Sequence, residues 1–322
     1  MKITVFYKIF SFLLSLFTTL AIGVIPAPST DDPITLPENS YVNFVLWGDP
    51  QVSNLMYSRA RYLDAACEDV KNSGITFDAL IIAGDIAENG LEDEYVKAAK
   101  SLEKTSADVY LIAEGNHDIR NRIYSQTKER FLGFVNGVNV ASGNDYVVDS
   151  MHFSYEVNGI KFIVMGSDKT VFEESYFSDE QLAWLDSEIA SAQNGKPVFV
   201  INHQPLKLTH GLPDTWGSPI DSAGSVGDQS DEIFEIMNKY ENVIFVTGHL
   251  HTALGEYLYE EKGNVKLVNV PSVGITSKDG IYNEAGTGFV VSVTDDEIIF
   301  AARDFASGCY VPDGDIVISL AK

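Results

Sequence analysis

The chain has 322 residues, 45% of them hydrophobic, and a formal net charge of -24 at pH 7. That length holds one large domain or two small ones, and the apolar fraction excludes a disordered chain. The acidity argues against long nucleic acid as the main partner, because its phosphates are repelled.

Lys2 and Lys8 flank the start of an uncharged apolar run, Ile9 to Ile25. As a helix its 17 residues would span about 25 Å, short of a roughly 30 Å hydrocarbon core. Small residues at Ala21 and Gly23 complete the pattern of a secretory signal over residues 1–25. The alternative is an uncleaved anchor through residues 9–25. The expected location is secreted or extracytoplasmic, with a membrane as partner only if the segment stays. Residues 26–40 carry four prolines and three acidic residues and are expected to form an exposed leader. Residues 41–322 then form a single domain.

Strands and helices alternate from there. Val42 to Trp47, Ala79 to Ala83 and Val109 to Ala113 are short apolar runs, each ending near Gly-Asp or Gly-Asn. Between them, helices are expected over about Leu55 to Asn72, closed by Gly74, and near Leu91 to Glu103. Runs of this kind separated by helices suggest a largely parallel sheet covered on both faces. After Tyr146 the texture changes. His152 to Val157 and Lys161 to Met165 are joined by Asn158-Gly159, a hairpin signal. Ser178 with Gln181 forms a capping box that opens a helix through about Ala192. Pro197 to Ile201 and Val243 to Val246 are buried strands, and Leu254 to Tyr259, Val265 to Val270, Gly288 to Val293 and Ile298 to Arg303 read as further strands. Two packed sheets with helices outside fit this order. Cys67 shares a helical face with Leu63, Ala66 and Val70, so it reads as a buried thiol and not as half of a disulfide with Cys309.

Side chains able to hold metal recur just past the strands: Asp49, Gln51, Asp85, Asn116, His203, His249 and His251. A single Gly-Asp after a strand is usually only a turn. The ordered set is different in kind: 36 residues separate Asp49 from Asp85, 31 separate Asp85 from Asn116, and four of the six histidines (His117, His203, His249, His251) fall inside it. Strand carboxyl ends are where ligands bind in open α/β sheets. One carboxylate bridging two cations would keep them about 3.5–4 Å apart, the arrangement for hydrolysing phosphate esters.

These motifs resemble the calcineurin-like metallophosphoesterases, whose pattern is Asp-x-His, Gly-Asp-x-x-Asp, Gly-Asn-His-Asp/Glu, a later His, and Gly-His-x-His. The resemblance covers about residues 41 to 305. It implies a four-layer α/β/β/α sandwich of two mixed sheets flanked by helices, and two divalent ions drawn from Mn, Fe, Zn, Mg or Ca. By position, Asp49, Asp85 and His251 would hold one ion, and Asp85, Asn116, His203 and His249 the other. A hydroxide bridging the metals would attack phosphorus in a phosphomonoester or phosphodiester. His117 would be the acid and Asp118 would orient it. Gln51 stands where the pattern has His; an amide oxygen suits a hard ion better than Zn or Fe, and it either ligates metal or bonds a metal-bound water. Glu88 replaces the usual Asp of the second motif.

Arg120 is a candidate to meet a substrate phosphate, as is His210, which lies with Trp216 in the Gly/Pro-punctuated segment Thr209 to Gly227. The expected partner is a small phosphorylated substrate or a phosphoprotein. Two other functions fit the same pocket: a non-catalytic binder of a phosphorylated ligand, and a nuclease or cyclic-nucleotide phosphodiesterase.

Overall fold

The computed structural model describes residues 27–321 apart from Asn121, Lys278, Asp279, Ile281 and Asn283. The signal expected over residues 1–25 lies outside the described residues.

Unbroken Val/Ile/Leu runs form strands buried on both faces. β1 (Val42–Trp47), β2 (Ala79–Ala83) and β3 (Tyr110–Ala113) pair in parallel. β10 (Thr287–Val293) pairs antiparallel with β1, and β11 (Glu297–Asp304) continues the sheet towards β12 (Cys309–Tyr310) and β13 (Ile316–Ser319). In the second sheet the order is β4 (Phe153–Val157), β5 (Ile160–Val164), β6 (Val198–Ile201), β7 (Val243–Thr247), β9 (Val265–Asn269) and β8 (Tyr259–Lys262). It is parallel from β5 to β9 and antiparallel at both edges. Both sheets are therefore mixed, each with a parallel centre.

The sheets face each other across an aromatic contact. Phe44 of β1 meets Phe162 and Phe199 of the second sheet edge-on, with ring centroids 5.4 and 5.3 Å apart. Each fully buried ring stabilises the fold by roughly 1.5–3 kcal/mol. Helices cover the outer faces. α1 (Tyr57–Ser73), α2 (Glu92–Leu102) and α4 (Tyr124–Ser142) add Leu63, Val70, Ala98 and Phe131 to the core cluster that includes the first sheet. Leu182, Leu185 and Ile189 of α5 (Asp179–Ser191) pack with Ile233 and Met237 of α6 (Ser230–Met237) on Ile163 and Val200. The layers run α/β/β/α, as expected. A four-residue helix, α3 (Asn116–Ile119), follows β3.

Several local expectations hold. Gly74 ends α1 in the left-handed conformation, and Asn158 and Gly159 both take positive φ, as a hairpin turn between β4 and β5 requires. Cys67 is buried and unpaired.

Others need correction. The leader is not simply exposed: Ile34 is buried in the core, and Asp32 accepts a hydrogen bond from Tyr310 N at 2.8 Å. An apolar residue among the prolines gave it something to bury. Leu254 to Tyr259 is not a strand, because residues Glu256–Leu258 form a 3-10 turn before β8 begins. Only half of the capping box forms: Ser178 accepts from Gln181 N, while the Gln181 amide donates to Gly166 O and Asp168 Oδ2. Gln181 is buried, so its amide finds partners inside the fold. α4 shows no clean apolar stripe in the sequence, because Gly133 and Gly137 interrupt it.

Candidate metal centre

Asp49, Asp85 and Asn116 follow β1, β2 and β3, which run in parallel, so all three leave the same edge of the first sheet. His203 follows β6, and His249 follows β7, the parallel neighbour of β6. The two edges meet. His203 Nε2 lies 3.2 Å from Asp85 Oδ2 and 3.9 Å from Asp49 Oδ1, and His251 Nε2 lies 3.2 Å from Asp49 Oδ1. Asp49, Asp85 and His251 offer ligand atoms that all lie within 4.8 Å of one another. Gln51 is buried and donates through Nε2 to Asp85 Oδ2 at 3.0 Å, which places it at the centre as a partner of the shared carboxylate.

The backbone is strained where these residues sit. Asp49, Gln51, Asp85, His249 and His251 have φ of 48°, 36°, 53°, 71° and 50°, a region costing non-glycine residues roughly 1–3 kcal/mol each. The surroundings hold them there. Asp49 takes both its carboxylate oxygens to His249 N, at 3.2 and 3.1 Å, and its carbonyl accepts from Ser272 Oγ at 2.8 Å. Asp85 Oδ1 accepts from His117 N at 2.8 Å. Glycine is required by close approach as well as by turn geometry: a Cβ on Gly115 would strike the Asp85 carboxylate, and one on Gly84 the His203 ring.

Charge follows from this packing. Burial alone would lift the Asp85 carboxyl and depress His203, yet their proximity dominates: Asp85 is held well below the usual carboxylate range, and His203 is pushed up to about 10 by Asp85 and Asp49. His249 falls well below the ordinary imidazole value because it is buried and faces His203. A pair of buried carboxylates thus demands positive charge between the sheets.

The donor atoms fit divalent metal. His203 Nδ1 lies 2.8 Å from Ala83 O, an acceptor that fixes the proton there and leaves Nε2 as the nitrogen that would exchange its proton for a cation at the centre. His249 Nδ1 sits 3.3 Å from that Nε2, so two imidazole nitrogens face one point. Among the described residues, Asn116 Oδ1, His249 Nε2 and His251 Nε2 are buried without a hydrogen-bond partner. Unmatched buried acceptors cost about 1–3 kcal/mol each unless a cation meets them. Asp49, Asp85 and His251 would hold one ion, with Gln51 beside them; Asp85, Asn116, His203 and His249 would hold the other.

Around the centre, two assignments change. Asp118 does not touch the His117 ring. Its carboxylate accepts from Ile86 N, Ala87 N, Gly115 N and Tyr95 Oη, at 2.9 to 3.1 Å, and so ties the turns after β2 and β3 together. What His117 Nδ1 faces is Glu88: the carbonyl at 2.9 Å and the carboxylate at 3.6 Å, the latter also paired with Arg59. His117 Nε2 points inward, 3.9 Å from Asp85 Oδ2. His210 is also misplaced as a substrate residue. It is buried, its Nδ1 lies 2.8 Å from Tyr257 O, and burial lowers it to about 4. Its neighbour Trp216 does reach the site and stacks on His249 with centroids 4.8 Å apart. Arg120 approaches His117 Nδ1 at 2.8 Å and pairs with Glu173 at 3.1 Å. Glu173 itself, in a loop without periodicity, gave no signal in the sequence.

Carboxylates and imidazoles gathered where two mixed sheets meet make a centre suited to divalent metal. A sequence profile described as calcineurin-like phosphoesterase matches residues 42–253, and the chain belongs to that family, whose members use two divalent metals. The chain is 24% identical over 177 residues to a probable glycerophosphodiester phosphodiesterase of Arcobacter nitrofigilis, covering 54% of this chain and 56% of the relative. It is 25% identical over 196 residues to a 3',5'-cyclic-nucleotide phosphodiesterase of Nostoc sp., covering 61% and 62%. The matches thus span little more than half the length of these relatives. Among solved structures, a purple acid phosphatase from yellow lupin superposes with a TM-score of 0.55 at 13% identity, over 86% of this chain and 53% of the other, a likeness of fold.

Proposed function

We propose that this protein is an exported phosphodiesterase acting on small, soluble phosphodiesters. The observation that carries the reading is the meeting of Asp49, Asp85 and His251, whose ligand atoms lie within 4.8 Å of one another, with His203 Nε2 3.2 Å from Asp85 Oδ2 and His249 Nδ1 3.3 Å from that nitrogen. Two divalent ions held there supply an activated water and positive charge against the phosphoryl oxygens. The chain's own residues do the rest. His117 has its side chain 16% exposed and its Nε2 turned inward, so it can reach both solvent and substrate and hand a proton to the departing oxygen. Trp216 and Ala83 O fix the rings of His249 and His203.

Relatives named for glycerophosphodiesters and cyclic nucleotides support a diester over a monoester. The charge of -24 disfavours a polyanionic chain as substrate. Export rests on the pattern of residues 1–25, and the mature N-terminus measured by mass spectrometry tests it. Activity is tested with bis(4-nitrophenyl) phosphate and 4-nitrophenyl phosphate in the presence of Mn. The diester is expected to turn over faster; folded, Mn-loaded protein that cleaves neither overturns the reading. Gln51, in place of an imidazole, favours one second reading, a binder of a phosphorylated ligand. Metal content separates the two: close to two ions per chain for the enzyme, fewer than one for the binder.

A further inference from the structure

A second concavity lies beside the metal centre. It is a cleft of about 670 Å³, lined by residues 55–59, 61 and 62 at the start of α1 and by residues 274–276 beyond β9. That volume lies within the range of small-molecule sites. Both segments follow the carboxyl ends of strands, and a parallel bridge between Gly48, after β1, and Ser272, after β9, joins the two sheets at this edge.

Little separates the cleft from the metal ligands. Gly274 N donates to Asp49 O at 3.2 Å, and a Cβ on Gly274 would collide with Pro50 O. Gln51 is the shared wall. Its Nε2 donates to Asp85 Oδ2 at 3.0 Å within the centre, and its carbonyl accepts from Arg59 Nη1 at 3.4 Å on the side of the cleft.

The lining sets this place apart from the rest of the surface. Leu55, Met56 and Tyr57 are consecutive and 86, 49 and 68% exposed, on a turn in which Ser53 Oγ accepts from Leu55 N and Met56 N at 3.1 and 3.2 Å. A fixed turn that holds apolar side chains in water around a concavity is the mark of a binding surface. The charged residues of the lining are Arg59 and Arg61, with no carboxylate among them, in a chain of net charge -24. Arg59 is engaged by Glu88, so the charge offered to a ligand is that of Arg61. An anionic diester matches that charge. A flat ring matches the rest, because thioether, tyrosine and guanidinium groups all pack well against aromatic faces.

We propose that this cleft is a subsite for an aromatic arm of the substrate, so that the preferred diesters carry an aryl or nucleobase ring on one ester oxygen. The proposal rests on the reading of the neighbouring centre as one that binds a phosphoryl group. The subsite makes and breaks no bond. It adds affinity for the ring and therefore acts on KM rather than on kcat.

The test uses the full-length, Mn-loaded protein and two phosphonates that it cannot hydrolyse, phenylphosphonate and methylphosphonate, titrated by calorimetry. The parent is expected to bind the phenyl compound about tenfold more tightly, a part of what full burial of a ring supports. Leu55→Ser combined with Met56→Ser should bring that ratio down to about twofold, and Ile275→Ser, from the other segment, to about fourfold. On bis(4-nitrophenyl) phosphate the double variant should raise KM by about fivefold, with the loss in kcat/KM carried by KM.

Equal affinity of the parent for the two phosphonates overturns the subsite and leaves the centre standing. Binding of neither overturns both. A ratio that survives in a double variant melting as the parent does also overturns the subsite. If that variant meanwhile loses co-sedimentation with phosphatidylcholine vesicles, or a dimer seen for the parent by light scattering, the exposed turn belongs to a lipid surface or to a second copy. The calorimetry needs no turnover, so it decides the subsite even in a protein that binds without hydrolysing.

Discussion

Two buried charge clusters in this molecule differ in backbone geometry and in how their charges are met. Arg303 and Asp69 form a mutual pair: Nε and Nη2 donate to the two carboxylate oxygens at 2.7 and 2.9 Å, the guanidinium lies 4.7 Å from the Tyr310 ring, and of its nitrogens Nη1 is left without a hydrogen-bond partner. Neither residue is among those with positive φ. At the metal centre the carboxylates of Asp49 and Asp85 share one imidazole, that of His203, the backbone is left-handed at Asp49, Gln51, Asp85, His249 and His251, and Asn116 Oδ1, His249 Nε2 and His251 Nε2 are buried without partners. Buried charge that neutralises itself fixes the fold. Buried charge that leaves lone pairs converging on a common point is shaped for something that arrives from outside.

The contrast can be broken by substitution. Asp69→Ala leaves the Arg303 guanidinium buried and uncompensated, and should lower unfolding free energy by about 3–5 kcal/mol while the folded fraction keeps parent kcat. Denaturant titration alongside active-site counting checks both halves; a drop in kcat at unchanged stability would reverse the assignment. Asp85→Asn should do the opposite in function, cutting kcat/KM on the order of 10³-fold, the scale for losing a preorganised charge, and abolishing tight Mn binding. Turnover near the parent level would remove Asp85 from its bridging place.

A third region sharpens the comparison by pH. His210 is buried neutral, held near 4 against an ordinary 6.5. The unfolded chain therefore takes up the proton first, so the contribution of His210 is complete above about 6.5 and is lost as pH falls towards 4, by about 3 kcal/mol in all. His210→Gln should flatten that part of the stability profile and leave the rest alone. An unchanged acid slope would mean that other groups set it. The smallest effect is expected at Gln51: Gln51→His should raise Zn affinity relative to Mn by about tenfold, since imidazole suits the softer ion. Competition titration of the two metals reads it directly, and an unchanged ratio would mean that Gln51 does not touch metal.

Much of this was legible in the chain. Asp49, Asp85, Asn116, His203, His249 and His251 could be placed together because each follows an unbroken apolar strand, and strand ends on parallel neighbours share an edge. What the sequence hid was the wiring between these groups. Asp118 beside His117 reads as its orienter, but a helical turn carries the carboxylate onto the backbone amides of Ile86 and Ala87, and the Glu88 carbonyl takes its place. Glu173 lies 57 residues from Asn116 in a loop with neither period nor motif, so nothing local marks the contact. Trp216 was visible only as an aromatic residue in an irregular segment. Its stacking on His249 depends on how that segment folds back over β7.

The measurement that bears most directly on this account is anomalous diffraction from a crystal of the protein soaked in Mn. Two peaks about 3.5–4 Å apart on either side of the Asp85 carboxylate, one near Asp49 and His251 and the other near Asn116, His203 and His249, is the expected result. A single peak, or none at saturating Mn, would contradict it.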